Sequence, residues 1–180
     1  MDTLDSDGVP RDLRRALLAW RLMVYQVRTD TISAMTRISR HRQSTLRRRW
    51  GISGEMRRRG PPPTSLAPLF HSARARSETA ALAAFCRIYG TLPSGSPARR
   101  PREEVLTLEF GERLCQTYDT FRASFPKSKI AFESFVNFVL KFPGNEVIRL
   151  GRCPVCGATI LIDRLAPGRL SCEHCWMVSD

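Results

Sequence analysis

Residues 30–51 read DTISAMTRISRHRQSTLRRRWG, and the fold class turns on how this stretch divides. The pattern predicts two short helices. Asp30 is placed to cap the first, which carries Ile32, Met35 and Ile38 inward. Ser39 is placed to cap the second, where Leu46 and Trp50 lie four apart, and Gly51 ends it. A short helix, a tight corner and a second helix dense in arginine is the layout of a helix-turn-helix, whose second helix enters the major groove. Arg37, Arg40, His41, Arg42, Arg47, Arg48 and Arg49 are then the candidate DNA-contacting residues, with Gln43 beside them. The small residue and the glycine usual in such a turn are absent.

Charge concentrates in the same region. Of the 29 basic residues of the 180-residue chain 26 are arginine, and the formal net charge is +12. Residues 28–60 hold ten arginines against Asp30 and Glu55, a local balance of +8. Like charges at this density repel unless an anion neutralises them, so the region points to a polyanion, with phosphate the natural partner. A solvated basic face without a ligand is the plainer reading, and attachment to an anionic membrane surface is a weaker one.

Outward from this stretch the chain reads as mainly α. Residues 1–10 are acidic and polar and are expected to be a flexible N-terminus. A helix is predicted from about Pro10 to Val27, with Leu13, Leu17, Trp20, Val24 and Val27 on one face. That stripe suits the core or a partner subunit. RRRGPPP at 57–63 breaks the helical pattern and reads as a linker or extended arm. An alanine-rich helix is expected over about 77–89, burying Leu82, Phe85 and Cys86. After the breaker-rich loop 91–103 comes a helix pair near 103–122 and 128–142. Leu106, Phe110, Leu114 and Tyr118, then Phe132, Phe135, Val136 and Val139, face inward. Cys86 and Cys115 have no metal-ligand spacing and read as buried packing residues.

The C-terminal stretch 153–175, CPVCGATILIDRLAPGRLSCEHC, holds two C-x-x-C pairs separated by fifteen residues. Each pair can offer two adjacent corners of a tetrahedron, so Cys153, Cys156, Cys172 and Cys175 are the candidate ligands of one structural zinc ion per chain. An iron cluster and a redox thiol pair are the competing readings, and His174 could substitute for a cysteine. A strand at 159–162, a turn at 166–168 and a return strand at 169–171 would complete a zinc ribbon. The expected organisation is therefore a flexible 1–10, a helical DNA- and partner-binding domain at 11–145, and a zinc ribbon at 146–180.

Three features in order, TRISRHR with its basic continuation, GPPP followed by Leu66-Ala-Pro-Leu-Phe70, and the four-cysteine site, resemble the flagellar transcriptional activator FlhC family over roughly residues 25–175. The resemblance implies a hetero-oligomer with the companion subunit FlhD, promoter DNA as ligand, and recruitment of RNA polymerase. The family's zinc ligands match the four cysteines, and Arg40 and Arg42 match its Ser-Arg-x-Arg pattern within Ser39–Trp50. Gln43 stands where the family tends to have leucine, and HSARARS at 71–77 replaces a more polar and aromatic segment.

The function expected is a DNA-binding transcriptional activator of flagellar operons. An RNA-binding or protein-interaction zinc ribbon is the alternative. No phosphate-cradling glycine loop, nucleophile elbow or histidine–carboxylate pairing suggests an enzyme. The N-terminus MDTLDSDG and the lack of a long apolar run imply no membrane association and a cytoplasmic location.

Overall fold

In the computed structural model the described residues are 10–54, 60, 63–92, 106–164 and 171–178. Among them the chain forms seven α-helices and one two-stranded sheet. The helices are α1 (Arg11–Val24), α2 (Thr29–Thr36), α3 (Arg40–Arg49), α4 (Ala73–Ile88), α5 (Leu108–Ser124), α6 (Phe132–Lys141) and α7 (Glu173–Val178). The strands β1 (Ile148–Arg152) and β2 (Thr159–Asp163) pair antiparallel. The sequence expectations for 1–9, for most of the 91–103 loop and for the turn at 166–168 lie outside the described residues.

Helix α1 stops three residues short of the expected Val27 because Gln26 takes a left-handed conformation (φ 60°). The amide of Val27 then donates to the carbonyl of Leu22, and that of Gln26 to Met23, which satisfies two end carbonyls. Its inward face is also rotated from the expected stripe. Leu18, Ala19, Leu22 and Met23 are buried, whereas Leu13, Leu17, Trp20 and Val24 are 50%, 54%, 46% and 41% exposed. The inner face is set by α5: a Cβ on Gly111 would come within 2.7 Å of Leu18 Cδ2 and 3.3 Å of Met35 Sδ. Its missing side chain lets α1 and α2 approach α5 closely.

The inward residues anticipated for the later helices are in the core. Leu106, Leu114, Phe132 and Phe135 are fully buried, and Cys86 and Cys115 are buried thiols. Tyr25, Tyr118, Phe132 and Phe135 form an edge-to-face and stacked cluster, and the Tyr118 hydroxyl donates to the Ile130 carbonyl at 2.8 Å. Hydroxyl caps start α4 and α5, with Ser72 accepting from the amide of Ala75 and Thr107 from that of Phe110. Helix α4 therefore starts four residues before the expected Ser77. Buried Glu133 of α6 accepts the Arg28 amide at 2.6 Å and pairs with the Arg28 guanidinium, anchoring the start of α2 to the core.

The hairpin completes the fold. Ile148, Leu150 and Leu161 on one face pack against the helical core, where β2 lies on α4. The opposite face carries Ile160 and Ile162, which pack with the cysteines. Gly151 sits across from Ile160, and a Cβ there would fall 2.4 Å from Ile162 Cδ1. This pairing adds a strand, β1, that the sequence reading did not place. The described partner of β2 is β1, which precedes the first cysteine pair; Arg169 and Leu170 of the expected return strand lie outside the described residues.

Candidate metal centre and basic helix

Cys153 follows directly on β1, and Cys156 lies in the turn that leads to β2. That turn is tight because Gly157 has φ 72°, its amide donates to the Cys153 carbonyl at 2.9 Å, and the Cys153 amide donates to Ala158 at 2.8 Å. The second pair comes from elsewhere in the chain: Cys172 precedes α7 and Cys175 lies in its first turn. The Cys172 amide reaches Cys153 Sγ at 3.3 Å, and the Cys175 amide reaches Cys172 Sγ at 3.4 Å.

All four Sγ atoms lie within 4.8 Å of one another, with Cys156 and Cys172 3.6 Å apart. Sulfurs bound at about 2.3 Å to one tetrahedral ion would be separated by about 3.8 Å, so the quartet is close enough to bind a single metal ion. Cys153 and Cys175 are buried, Cys172 is half-buried and Cys156 is exposed. Donation from the backbone amides of Cys172 and Cys156 brings the Cys153 thiol down to about 6. Hydrogen bonding with the Cys172 and Cys156 sulfurs pushes Cys175 up to about 12. His174, the alternative ligand read from the sequence, is exposed and outside the quartet. It instead lines a cavity of about 570 Å³ between α4 and the hairpin, beside an Arg76–Glu173 pair at 3.6 Å.

The basic segment forms a helix, a three-residue corner and a second helix. Ser39 caps α3, accepting from the Arg42 amide at 3.3 Å, whereas Asp30 lies inside the first turn of α2 and makes no cap. Arg37 turns the corner in a left-handed conformation (φ 60°), where a glycine would be at ease, and Ile38 is buried beneath it. The corner is held by Gln43. Its side-chain amide donates towards Thr29 O at 3.1 Å, Ser33 Oγ at 2.8 Å and Ile38 O at 2.9 Å, and the residue is 1% exposed.

Arg37, Arg40, His41, Arg42, Arg48 and Arg49 are exposed. Arg47 departs from the expectation, because it is buried at 8% exposure on the inner face with Gln43, Leu46 and Trp50. Positions 43, 46, 47 and 50 are the helical inner stripe, a spacing that marks Gln43 and Arg47 as inward-facing from sequence. Arg40 pairs with Asp30 at 2.7 Å, while Arg37, Arg42, Arg48 and Arg49 have no ion-pair partner among the described residues.

No family model matches the chain, and neither does any curated protein. No described helix is long and apolar enough to cross a membrane. Among the described residues the surface chemistry comprises the exposed arginines of α3 and a cluster of four thiols, on the hairpin and α7, close enough to hold a metal ion. A third feature is the apolar stripe on α1, which borders a groove of about 920 Å³ against α5.

Proposed function

We propose that this chain is a DNA-binding transcriptional activator of the FlhC kind, carrying one structural zinc ion and acting on promoter DNA in the cytoplasm with an FlhD companion subunit. The observation that carries the reading is the set of exposed arginines on α3, borne by a helix–corner–helix whose corner is held from behind by Gln43. In this reading α2 and α3 are a helix-turn-helix. Residues at the start of α3 reach base edges, and Arg37, Arg42, Arg48 and Arg49 neutralise phosphates. Four phosphate contacts correspond to a salt slope of roughly −3.6, so affinity should fall by about two orders of magnitude for a fourfold rise in salt.

Four thiolates suit zinc, and a closed four-sulfur shell leaves no open position for substrate, so the ion is structural and the role is binding rather than catalysis. Zinc joins the hairpin turn to α7, tying the C-terminal module together on α4. The exposed stripe of Leu13, Leu17, Trp20 and Val24 is the surface assigned to the FlhD subunit, since four large apolar side chains at helical spacing match a helical partner. The complex would then recruit RNA polymerase.

The test is co-expression with an FlhD subunit, zinc analysis of the purified complex, and binding to the upstream region of a flagellar operon at two salt concentrations. A zinc-bearing complex that prefers this DNA over bulk competitor, with a steep salt dependence, supports the reading. Absence of a complex, or structured RNA competing better than the duplex, overturns it.

A further inference from the structure

The acidic residue inside the basic region bears on what that region can read. Between residues 28 and 54 Asp30 is the single acidic side chain, set among seven arginines. A carboxylate placed there lowers the positive potential that attracts phosphate, so for plain polyanion binding it is a liability. Asp30 is not spent on capping, because α2 begins at Thr29 and no side-chain cap bond is made at its start. Its carboxylate instead reaches across the corner to Arg40, Oδ1 to Nη2 at 2.7 Å, with both side chains more than two-thirds exposed.

The backbone that carries this pair is fixed. Gln43 donates to the carbonyl of Thr29, the residue before Asp30, and to that of Ile38, two residues before Arg40. Ser33 Oγ also donates to Ile38 O at 3.1 Å. The backbone on either side of the corner is therefore held by a buried network. Arg40 is the first residue of α3, where a groove-entering helix meets bases. The contact is made by Nη2. A carboxylate beside this guanidinium competes with phosphate for it and biases its direction, while five N–H donors leave enough for the two acceptors of guanine.

We propose that Asp30 is a specificity-determining positioning residue: through its contact with Arg40 it converts a non-specific phosphate contact into one that reads guanine. This rests on the DNA-binding reading above. Asp30 lowers overall affinity for duplex DNA and raises discrimination, whereas a residue that only stabilised the fold would move both in the same direction.

The experiment uses the full chain in complex with its companion subunit. Wild type, Asp30→Asn, Asp30→Glu and Arg40→Gln are each taken through selection from a random-sequence 30-base-pair duplex pool, followed by sequencing. Affinity for one fixed arbitrary duplex is measured at two salt concentrations. Wild type is expected to prefer guanine at one position by roughly 5- to 150-fold, the range of a good bidentate contact. Asp30→Asn should erase most of that preference while binding the arbitrary duplex more tightly, with a salt slope steeper by about 0.9 for one added phosphate contact. Asp30→Glu should restore part of the preference, and Arg40→Gln should lose it without gaining affinity. If Asp30→Asn keeps the guanine preference, or loses preference and arbitrary-duplex affinity together, the proposal fails while the DNA reading stands. If wild type enriches no sequence from the pool, the DNA reading fails and the proposal with it.

Discussion

Replacing Gln43 by glutamate tests whether the α2–α3 corner is held by donation from this side chain. The substitution keeps size and shape but exchanges two N–H donors for an acceptor, opposite Thr29 O, Ser33 Oγ and Ile38 O. At 1% exposure a carboxylate facing three acceptors must take a proton to stay. Protonating a glutamate of ordinary pKa near 4.3 at pH 7 costs about 2.7 pKa units, or roughly 3.7 kcal/mol. One of the two donors is also lost, at about 0.5–1.5 kcal/mol. The expected loss is therefore about 4–5 kcal/mol at pH 7, a fall in Tm on the order of 10–15 °C for a chain of this size. Because the folded-state pKa is raised, the proton-linked part of the loss is absent below the unfolded pKa and grows as pH rises above it. Near pH 4.3 only about 1 kcal/mol should remain. Gln43→Leu is the control. It removes the donors without adding a titratable group, so its loss, about 1–3 kcal/mol, should be the same at both pH values. The assay is thermal melting by circular dichroism at pH 7 and pH 4.5, each variant against wild type at the same pH. A Tm for Gln43→Glu within 2 °C of wild type at pH 7 would refute the reasoning. The carboxylate would then be accommodated as an anion near Arg47, one turn along the same buried face.

Three further outcomes are expected. After chelation the native chain should expose four thiols to a disulfide reagent, while Cys86 and Cys115, buried with their thiols pushed up to about 12, should react only on unfolding; labelling followed by mass spectrometry counts them. Burial by itself would raise the pKa of Glu78, but the Ser128 hydroxyl and the Arg74 guanidinium outweigh it and the net shift is downward. Its stabilisation is thus present above the unfolded pKa and lost as pH falls through the folded one, so Glu78→Gln should cost stability at pH 7 and nothing at strongly acid pH, read by urea unfolding. Leu17→Glu combined with Trp20→Glu should change the stability of the isolated chain by less than about 1 kcal/mol, since both side chains are about half exposed, yet should abolish capture by the companion subunit in a pull-down.

Helix positions, most of the core and the clustering of the four cysteines were legible because each follows from local rules. Periodicity placed Leu114, Tyr118, Phe132 and Phe135 inward, Ser39 and Gly51 bounded α3, and the paired spacing of Cys153, Cys156, Cys172 and Cys175 pointed to one centre. The errors came where two local rules compete. On α1 two apolar stripes overlap, and helical spacing ranks neither above the other; of the two uses open to the Leu13, Leu17, Trp20 and Val24 stripe, the structure removes the core one. The basic character of α3 drew Arg47 into the outward set, although its spacing from Gln43, Leu46 and Trp50 placed it inside.

By itself, then, the sequence determined a mainly helical chain, a strongly basic corner segment and a four-thiol centre, because hydrophobic period, capping chemistry and ligand spacing act over a few residues. Which stripe of α1 faces water was decided by Gly111 of α5, almost a hundred residues away, where the missing Cβ admits Leu18 and Met35. The partner of β2 was decided by Gly151 and by the face that packs on the helical core, and the pairing of Asp30 with Arg40 by the buried amide of Gln43. Such choices depend on which surfaces meet at van der Waals distance, and only the packed tertiary structure brings those surfaces together.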